Sequence, residues 1–157
     1  MRTVDRLRIH APFARVFAAA SSVARWPAIL PHYRWVRILN DGLVEMAAWR
    51  PFARGLLKYP AWWVSEMTID RPAGEIRYRH VRGITRGMQV AWRLVEVGGG
   101  SEGDVDVEIV HTWDGPAWPL VGRLAANLVI GPVFIHGIAT RTLAGIKRAV
   151  EMDSHAR

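Results

Sequence analysis

Four side chains in this sequence have types suited to acid–base or electrophilic chemistry on a small molecule: Arg50, Tyr78, His80 and His111. Imidazole exchanges protons near neutral pH, so His80 or His111 is a candidate for moving a proton to or from a substrate. A guanidinium at Arg50 would polarise a carbonyl group or stabilise an enolate. We therefore predict Arg50, His80 and His111 as catalytic residues.

Alternation along the predicted strands places these groups on one inner face of a sheet. Residues two apart on a strand point to the same side, so Tyr78 and His80 share a face, as do His111 and Trp113. Arg50 shares the face of Met46 if the strand register holds. A concave apolar wall with a few convergent polar groups is typical of small-ligand sites. The predicted ligand-binding residues are Met46, Tyr78, Met88, Trp92, Trp113 and Ile138.

Each of these residues also has a purely structural interpretation. A single histidine on an apolar strand face is often a hydrogen-bonded core residue. Tyr78 and Trp92 are typical packing residues, and Arg50, beside Pro51, is near enough to a strand end to reach solvent. Either tryptophan of the Trp62-Trp63 pair could point inward. Three polar groups on one inner face favour a site more than any one of them does.

The elements that would position these residues are a first strand, two short helices, six more strands joined as hairpins, and a long C-terminal helix. The long helix is predicted over Ile130–Val150, with Gly131-Pro132 as its start signal and apolar residues at three- and four-residue steps. Short links predict an antiparallel sheet, and the helix must bury its apolar face, with Ile138 and Ile146, against it. The strands are predicted at Thr3–His10, Tyr33–Leu39, Leu43–Arg50 before a break at Pro51, Leu56–Ile69, Glu75–Val81, Gly87–Val97 and Asp104–Trp113, and the short helices at Pro12–Ser21, Val23–Leu30 and Leu120–Leu128.

Composition narrows the protein class. A chain of 157 residues, half of them apolar, predicts one globular domain over residues 1–157. The absence of cysteine excludes disulfides, thiolate metal sites and a cysteine nucleophile. The net charge of +7 comes mainly from arginines dispersed on strands, such as Arg77 and Arg79, which favours a solvated basic surface over nucleic-acid binding. The N-terminus lacks a signal-peptide core, and the apolar stretch Leu120–Ala139 is interrupted by Arg123 and Gly131-Pro132, so we expect a cytoplasmic protein without an integral membrane segment.

Several catalytic motifs are missing from the sequence. There is no His-x-x-x-His or other cluster at metal-ligand spacing, and no glycine-rich phosphate loop between a strand and a helix. No Gly-x-Ser-x-Gly turn is present. Carboxylates are predicted on outer faces, which argues against a hydrolase that uses two carboxylates. We therefore predict no metal and no cofactor.

Local sequence patterns resemble a known family. Ala11–Phe17, Val23–Pro27, Tyr33–Leu39 and the closing Thr142–Lys147 resemble the polyketide cyclase/dehydrase branch of the START-like, birch-pollen-allergen-like (SRPBCC) superfamily. The resemblance covers nearly the whole chain and implies an α+β helix-grip fold. In that fold a seven-stranded curved antiparallel sheet surrounds a long C-terminal helix, with two short helices after the first strand and a cavity between sheet and helix.

The resemblance implies a hydrophobic small-molecule ligand, aromatic or polyketide-like. The first hypothesis is a cyclase/dehydrase that promotes aldol cyclisation and dehydration. The second is a non-catalytic carrier or chaperone of a quinone, lipid or isoprenoid, and the third is a ligand-sensing or partner-binding module. The sequence leaves these hypotheses open, and it leaves open whether the chain forms a homodimer.

Overall fold

The structure is a computed structural model that describes residues 1–40, 42–52, 57–98, 103–115 and 135–152, with the backbone alone at 50–52 and 57–59. The predicted helix Leu120–Leu128 and the predicted helix start at Gly131-Pro132 lie outside the described residues. The strands are β1 Arg2–Ile9, β2 Tyr33–Asn40, β3 Leu43–Phe52, β4 Leu57–Asp70, β5 Glu75–Gly83, β6 Gln89–Val97 and β7 Asp104–Thr112. The helices are α1 Phe13–Ser21, a 3₁₀ turn Val23–Arg25, α2 Trp26–Ile29 and the C-terminal α3 His136–Met152.

The seven strands form one antiparallel sheet in the order β1-β7-β6-β5-β4-β3-β2. Consecutive strands from β2 to β7 are neighbours, as expected for hairpin links, and β1 closes the far side by pairing with β7. The sheet is curved around α3, and the two short helices follow β1. The predicted α+β helix-grip architecture is confirmed.

Helix α3 buries an apolar face beneath the sheet. Its buried residues, at three- and four-residue steps, are Ala139, Thr142, Leu143, Gly145, Ile146 and Val150. Ile146 is 1% exposed, as predicted, whereas Ile138 is only half-buried. The side chain of Leu30 packs closely against α3 at Gly145, where an added Cβ would lie 2.2 Å from Cδ2 of Leu30. A glycine at this position therefore lets the end of α2 pack against α3. No helix among the described residues combines the length and the apolar character that a membrane span requires.

Two strands depart from the pattern predicted for them. Strand β3 does not break at Pro51 but continues to Phe52, pairing with β4 through Phe52↔Leu57. Its pairing with β2 ends at Tyr33↔Ala48, so Pro51 lies where no neighbour on that side requires its missing N–H. In β1 the buried residues are Asp5 and Ile9, while Val4 and Leu7 are only half-buried.

Candidate functional site

A cavity lies between the inner face of the sheet and helix α3. Its volume is about 60 Å³, which holds a few water-sized groups and is well below the ~300–1,000 Å³ of pockets for drug-sized ligands. A larger ligand would therefore displace wall side chains. The lining residues are Trp26, Tyr33, Met46, Trp63, Tyr78, His80, Thr85, Met88, Val90, Trp92, Ile109, His111, Ile135, Ile138, Ala139 and Thr142.

Aromatic rings form one side of this cavity. The ring of Trp26, from α2, lies 5.1 Å from that of Tyr33, 6.5 Å from that of Tyr78 and 5.8 Å from that of Trp92, measured between centroids. Trp63 continues the series, 6.2 Å from Tyr33. Offset and edge-to-face contacts at these separations are the favoured geometries of aromatic pairs. The result is a continuous aromatic wall on one side of the cavity.

The hydroxyl group of Tyr78 is a buried polar group within this aromatic wall. Tyr78 is 6% exposed, and its oxygen has no hydrogen-bond partner among the described residues. Burial raises the pKa of this phenol well above its ordinary value of 10.0, and Tyr33 nearby raises it further. Tyr78 therefore stays protonated at neutral pH and presents an O–H donor.

Two histidines of the cavity region are held by threonine hydroxyl groups. Nδ1 of His80 lies 2.6 Å from Oγ1 of Thr85, and its ring stacks on Trp63 with centroids 5.9 Å apart. Nε2 of His32 lies 3.0 Å from Oγ1 of Thr142, a cavity-lining residue of α3. These contacts fix the imidazole orientations and leave a polar edge on an otherwise apolar cavity.

The structure brings most of the predicted site residues together. The cavity is lined by Met46, Tyr78, His80, Met88, Trp92, His111 and Ile138. Trp113 is buried but is not a lining residue, because its Nε1 donates to the backbone oxygen of Arg86, 2.9 Å away, in the turn between β5 and β6. The side chain of Arg50 lies outside the described part of the chain, so its role stays a prediction.

The pair Trp62-Trp63 separates across the sheet. Trp63 is 6% exposed and lines the cavity, whereas Trp62 is 41% exposed and donates from Nε1 to Oε1 of Glu45 over 2.8 Å. Cross-strand pairing of Trp63 with Met46 sets this choice, because Met46 faces inward.

Sequence reasoning missed lining residues that come from outside the alternating strand pattern. Trp26 belongs to α2, and Thr85 lies in the turn between β5 and β6. Tyr33 is the first residue of β2, and Thr142 lies on the buried face of α3. The one available signal was composition, since a tryptophan followed by proline in a short corner helix has to pack against something.

One carboxylate contradicts the prediction that acidic side chains face outward. Asp5 is 3% exposed on the inner face of β1, where the imidazole of His136, the first residue of α3, pairs with its carboxylate. Asp5 lies on the same face of β1 as Leu7 and Ile9, which are two and four residues further along the strand, so strict alternation places it inside despite its charge. Burial raises the pKa of Asp5 above its ordinary value, while His136 partly opposes that rise. Asp5 does not line the cavity, although its partner in β7, Ile109, does.

Comparisons with known proteins agree with the fold. A family model described as polyketide cyclase/dehydrase and lipid transport matches residues 9–131. A search of curated proteins found no match.

Solved structures share the fold at low sequence identity. A protein from Thermus thermophilus is 17% identical with a TM-score of 0.74, over 98% of this chain and 99% of that one. The Zhui aromatase/cyclase from a Streptomyces species is 17% identical with a TM-score of 0.75, over 96% and 93% of the two chains. A START superfamily protein from Mycobacterium smegmatis is 13% identical with a TM-score of 0.70, over 96% and 97%. The chain belongs to the polyketide cyclase/dehydrase and lipid transport family.

Proposed function

We propose that this protein binds a planar hydrophobic small molecule, aromatic or polyketide-like, in the cavity between sheet and α3. The observation that carries the proposal is the hydroxyl group of Tyr78, which lies in an aromatic wall without a hydrogen-bond partner among the described residues. A buried hydroxyl left unpaired costs about 1–3 kcal/mol. A carbonyl or hydroxyl oxygen on a bound ligand would remove that cost. The proposed ligand therefore combines a flat apolar body with at least one polar oxygen.

Wall side chains have to move to admit such a ligand. Met46 and Met88 both line the cavity, and unbranched thioether side chains repack more readily than branched or aromatic ones. Aromatic rings would remain in place and contact the ligand faces. The small volume of the empty cavity is consistent with this arrangement, because the methionines occupy the space that the ligand would take.

A cyclase/dehydrase mechanism can be written with residues of this cavity. Tyr78 would donate a hydrogen bond to a substrate carbonyl oxygen, which favours enolate formation. His111 or His80 would accept the proton from the carbon beside that carbonyl, and the resulting carbanion would form a carbon–carbon bond to a second carbonyl of the same chain. The protonated imidazole would then return its proton to the alkoxide formed in that attack, which gives a hydroxyl group. The neutral imidazole would next remove the second proton from the same α-carbon and deliver it to the hydroxyl group, which leaves as water while a carbon–carbon double bond forms. Arg50 is proposed to stabilise the enolate oxygen.

A carrier without catalysis is the second candidate. The contacts of His80 favour it, because its Nδ1 is held by Thr85 and its ring stacks on Trp63. A histidine fixed in this way is as suited to shaping a wall as to moving a proton. A quinone, lipid or isoprenoid would fit the same apolar cavity.

Ligand binding is tested by quenching of tryptophan fluorescence with a quinone or an aromatic polyketide analogue. Trp26, Trp63 and Trp92 line the cavity, so bound ligand should quench their emission, and Tyr78→Phe should weaken binding by roughly tenfold for the loss of one hydrogen bond. Trp62→Phe is the matched control, because Trp62 is exposed on the other face and should leave the affinity unchanged. Quenching that survives in Trp92→Phe and Trp63→Phe but disappears in Trp62→Phe would contradict the cavity site.

Turnover separates the enzyme from the carrier. A cyclase should lose roughly a hundredfold or more in rate when its proton-transfer group is removed in His111→Gln or His80→Gln. The affinity of the variant for the apolar ligand should change little. A protein that co-purifies with a small molecule in native mass spectrometry, and shows no turnover of poly-β-ketone analogues, would be a carrier.

A further inference from the structure

Three tryptophans of this chain lie on the outer face of the sheet, away from the cavity. Trp35 on β2 and Trp62 on β4 are the two cross-strand neighbours of Ala47 on β3. Trp49, also on β3, shares the outer face with Ala47, because the two residues are two apart on one strand. Nothing in the proposed ligand site uses these rings.

Two arginines of β2 cover the rings. The guanidinium carbon of Arg34 lies 4.6 Å from the ring centroid of Trp49, and that of Arg37 lies 4.8 Å from the centroid of Trp35. Arg34 reaches this face from a register irregularity between Tyr33 and Trp35. We call the five residues Arg34, Trp35, Arg37, Trp49 and Trp62 the outer tryptophan patch.

The charge of the described residues next to the patch is mainly positive. Arg37, Glu45, Val64 and Arg82 form a cross-strand row on the outer face next to Trp35 and Trp62. Glu45 is the one carboxylate of that row, and it is engaged by Nε1 of Trp62 at 2.8 Å and by Arg37 at 3.9 Å. Arg34 and Arg82 are exposed and add positive charge that no carboxylate of this row offsets. The patch therefore favours an anionic partner.

An apolar tip adjoins the patch on the same edge strand. Ile38, near the end of β2, is 63% exposed and pairs with Val44, which places it on the opposite face of the edge strand from Arg37, and the next residue, Leu39, is 49% exposed. Adjacent large aliphatic side chains at a sheet edge are unfavourable in water, and natural edge strands usually avoid them. Here they form the tip of the same edge strand that carries Arg34, Trp35 and Arg37. Exposed aliphatic side chains together with arginine and tryptophan are the residue combination of surfaces that insert into the headgroup region of a bilayer.

We propose that the outer tryptophan patch, together with Ile38 and Leu39, docks this protein on an anionic lipid surface. Tryptophan partitions into the headgroup region because its ring is apolar and its N–H is polar, while arginine is attracted by anionic headgroups. A single-stranded nucleic acid fits less well, because its bases need open ring faces for stacking. The faces of Trp35 and Trp49 are already covered by Arg37 and Arg34. This inference goes beyond the cavity function and does not depend on it.

The test is co-sedimentation of the full chain with phosphatidylcholine vesicles, with and without phosphatidylserine, at low and high salt. The wild-type protein should bind the anionic vesicles, and its binding should weaken as salt rises. Arg34→Ser combined with Arg37→Ser should weaken that binding roughly 25-fold, at about fivefold for each arginine. Trp62→Ser should weaken it as well without altering the net charge.

The matched control is Arg77→Ser combined with Arg79→Ser. It removes the same charge from the same outer face on β5, where the arginines pair with Glu75 and Glu66. This control should bind vesicles like the wild type. The proposal is overturned if both double variants lose binding equally, if neutral vesicles bind as well as anionic ones, or if no vesicles bind. Loss of binding to an RNA oligonucleotide in the patch variants, with vesicle binding unchanged, would also overturn it. Circular dichroism confirms that each variant is folded.

Discussion

The buried hydroxyl group of Tyr78 makes opposite demands on stability and on ligand binding. Without ligand it has no hydrogen-bond partner among the described residues, so replacing it with hydrogen removes a desolvation cost. We expect Tyr78→Phe to leave the free energy of unfolding unchanged or to raise it by about 1 kcal/mol, while weakening ligand binding. Urea denaturation of the ligand-free protein measures the first effect.

Tyr78→Phe is informative because a purely structural tyrosine would behave differently. If the hydroxyl group made a hydrogen bond that stabilised the core, this substitution would lower the free energy of unfolding by about 0.5–1.5 kcal/mol. Such a loss, with unchanged ligand affinity, would remove the main support for the proposed binding mode.

The carboxyl group of Asp5 should make stability depend on pH in an unusual direction. Burial raises its pKa in the folded protein above the ordinary value of 3.8, and His136 only partly offsets this. The folded state then binds the proton more tightly than the unfolded state, so the free energy of unfolding falls as pH rises from about 4 through the folded pKa. Asp5→Asn should remove this fall, as measured by urea denaturation at a series of pH values.

Asp106 provides the opposite case as a control. Its pKa is lowered by a hydrogen bond from Arg8, which donates from Nε to the carboxylate over 2.7 Å. This pair stabilises the fold at pH values above the ordinary pKa of an aspartate carboxyl group. Its stabilisation is lost as the pH falls through the lowered pKa of Asp106. Asp106→Asn should therefore reduce stability near neutral pH only slightly, because the pair is exposed.

The Asp5 prediction is contradicted if the free energy of unfolding has the same pH dependence in the wild type and in Asp5→Asn.

At the scale of elements, helix α3 contains two glycines with contrasting surroundings. An added Cβ at Gly145 would lie 2.2 Å from Cδ2 of Leu30, a fully buried residue, whereas at Gly137 it would meet nothing within 4 Å. Alanine favours a helix over glycine by about 0.5–1 kcal/mol. We expect Gly137→Ala to be neutral or stabilising within that range, and Gly145→Ala to destabilise by about 1–3 kcal/mol through overpacking.

Thermal unfolding of the two variants compares these effects within one helix. Gly145→Ala should lower the melting temperature because Leu30 is enclosed and cannot move aside without disturbing α2. Equal melting temperatures for both variants would mean that α2 and α3 pack less closely than described.

At the scale of the whole molecule, part of the positive charge lies in exposed ion pairs on the outer face of the sheet. Arg79 donates from Nε to Oε2 of Glu66 over 2.9 Å, and Arg77 pairs with Glu75, with both arginine side chains about two-thirds exposed. Exposed pairs of this kind contribute about 0.2–1 kcal/mol each. Replacing both arginines with serine should therefore change the free energy of unfolding by no more than about 1–2 kcal/mol in total.

Two measurements check this expectation. Chemical denaturation of the double variant gives the stability change, and a loss above about 3 kcal/mol would indicate a structural role that exposure does not explain. Salt-dependent binding of DNA or RNA gives the second readout. Tight binding by the wild type that the double variant loses would favour a nucleic-acid function over the cavity function.

Sequence alone determined the faces of three central strands. Alternation in β5, β6 and β7 assigned Tyr78, His80, Trp92 and His111 to the interior, and all four are buried and line one cavity. A strand with one solvated face must alternate polar and apolar residues, so each side chain's face can be read from its position. The buried apolar face of α3 was predictable in the same way, from apolar residues that recur at three- and four-residue steps. Ile146 is buried as expected.

Only the tertiary structure decided which residues from other elements meet these strands. Trp26 reaches the cavity from α2, and Trp113 is drawn to the backbone of Arg86 instead. Asp5 is buried because α3 covers β1 and brings His136 to it, although its residue type predicts exposure. Periodicity encodes the face of a strand or helix, but it carries no information on how distant elements are placed against each other. That placement follows from packing of the whole core, and it sets which inward side chains border empty space and which are enclosed by neighbours.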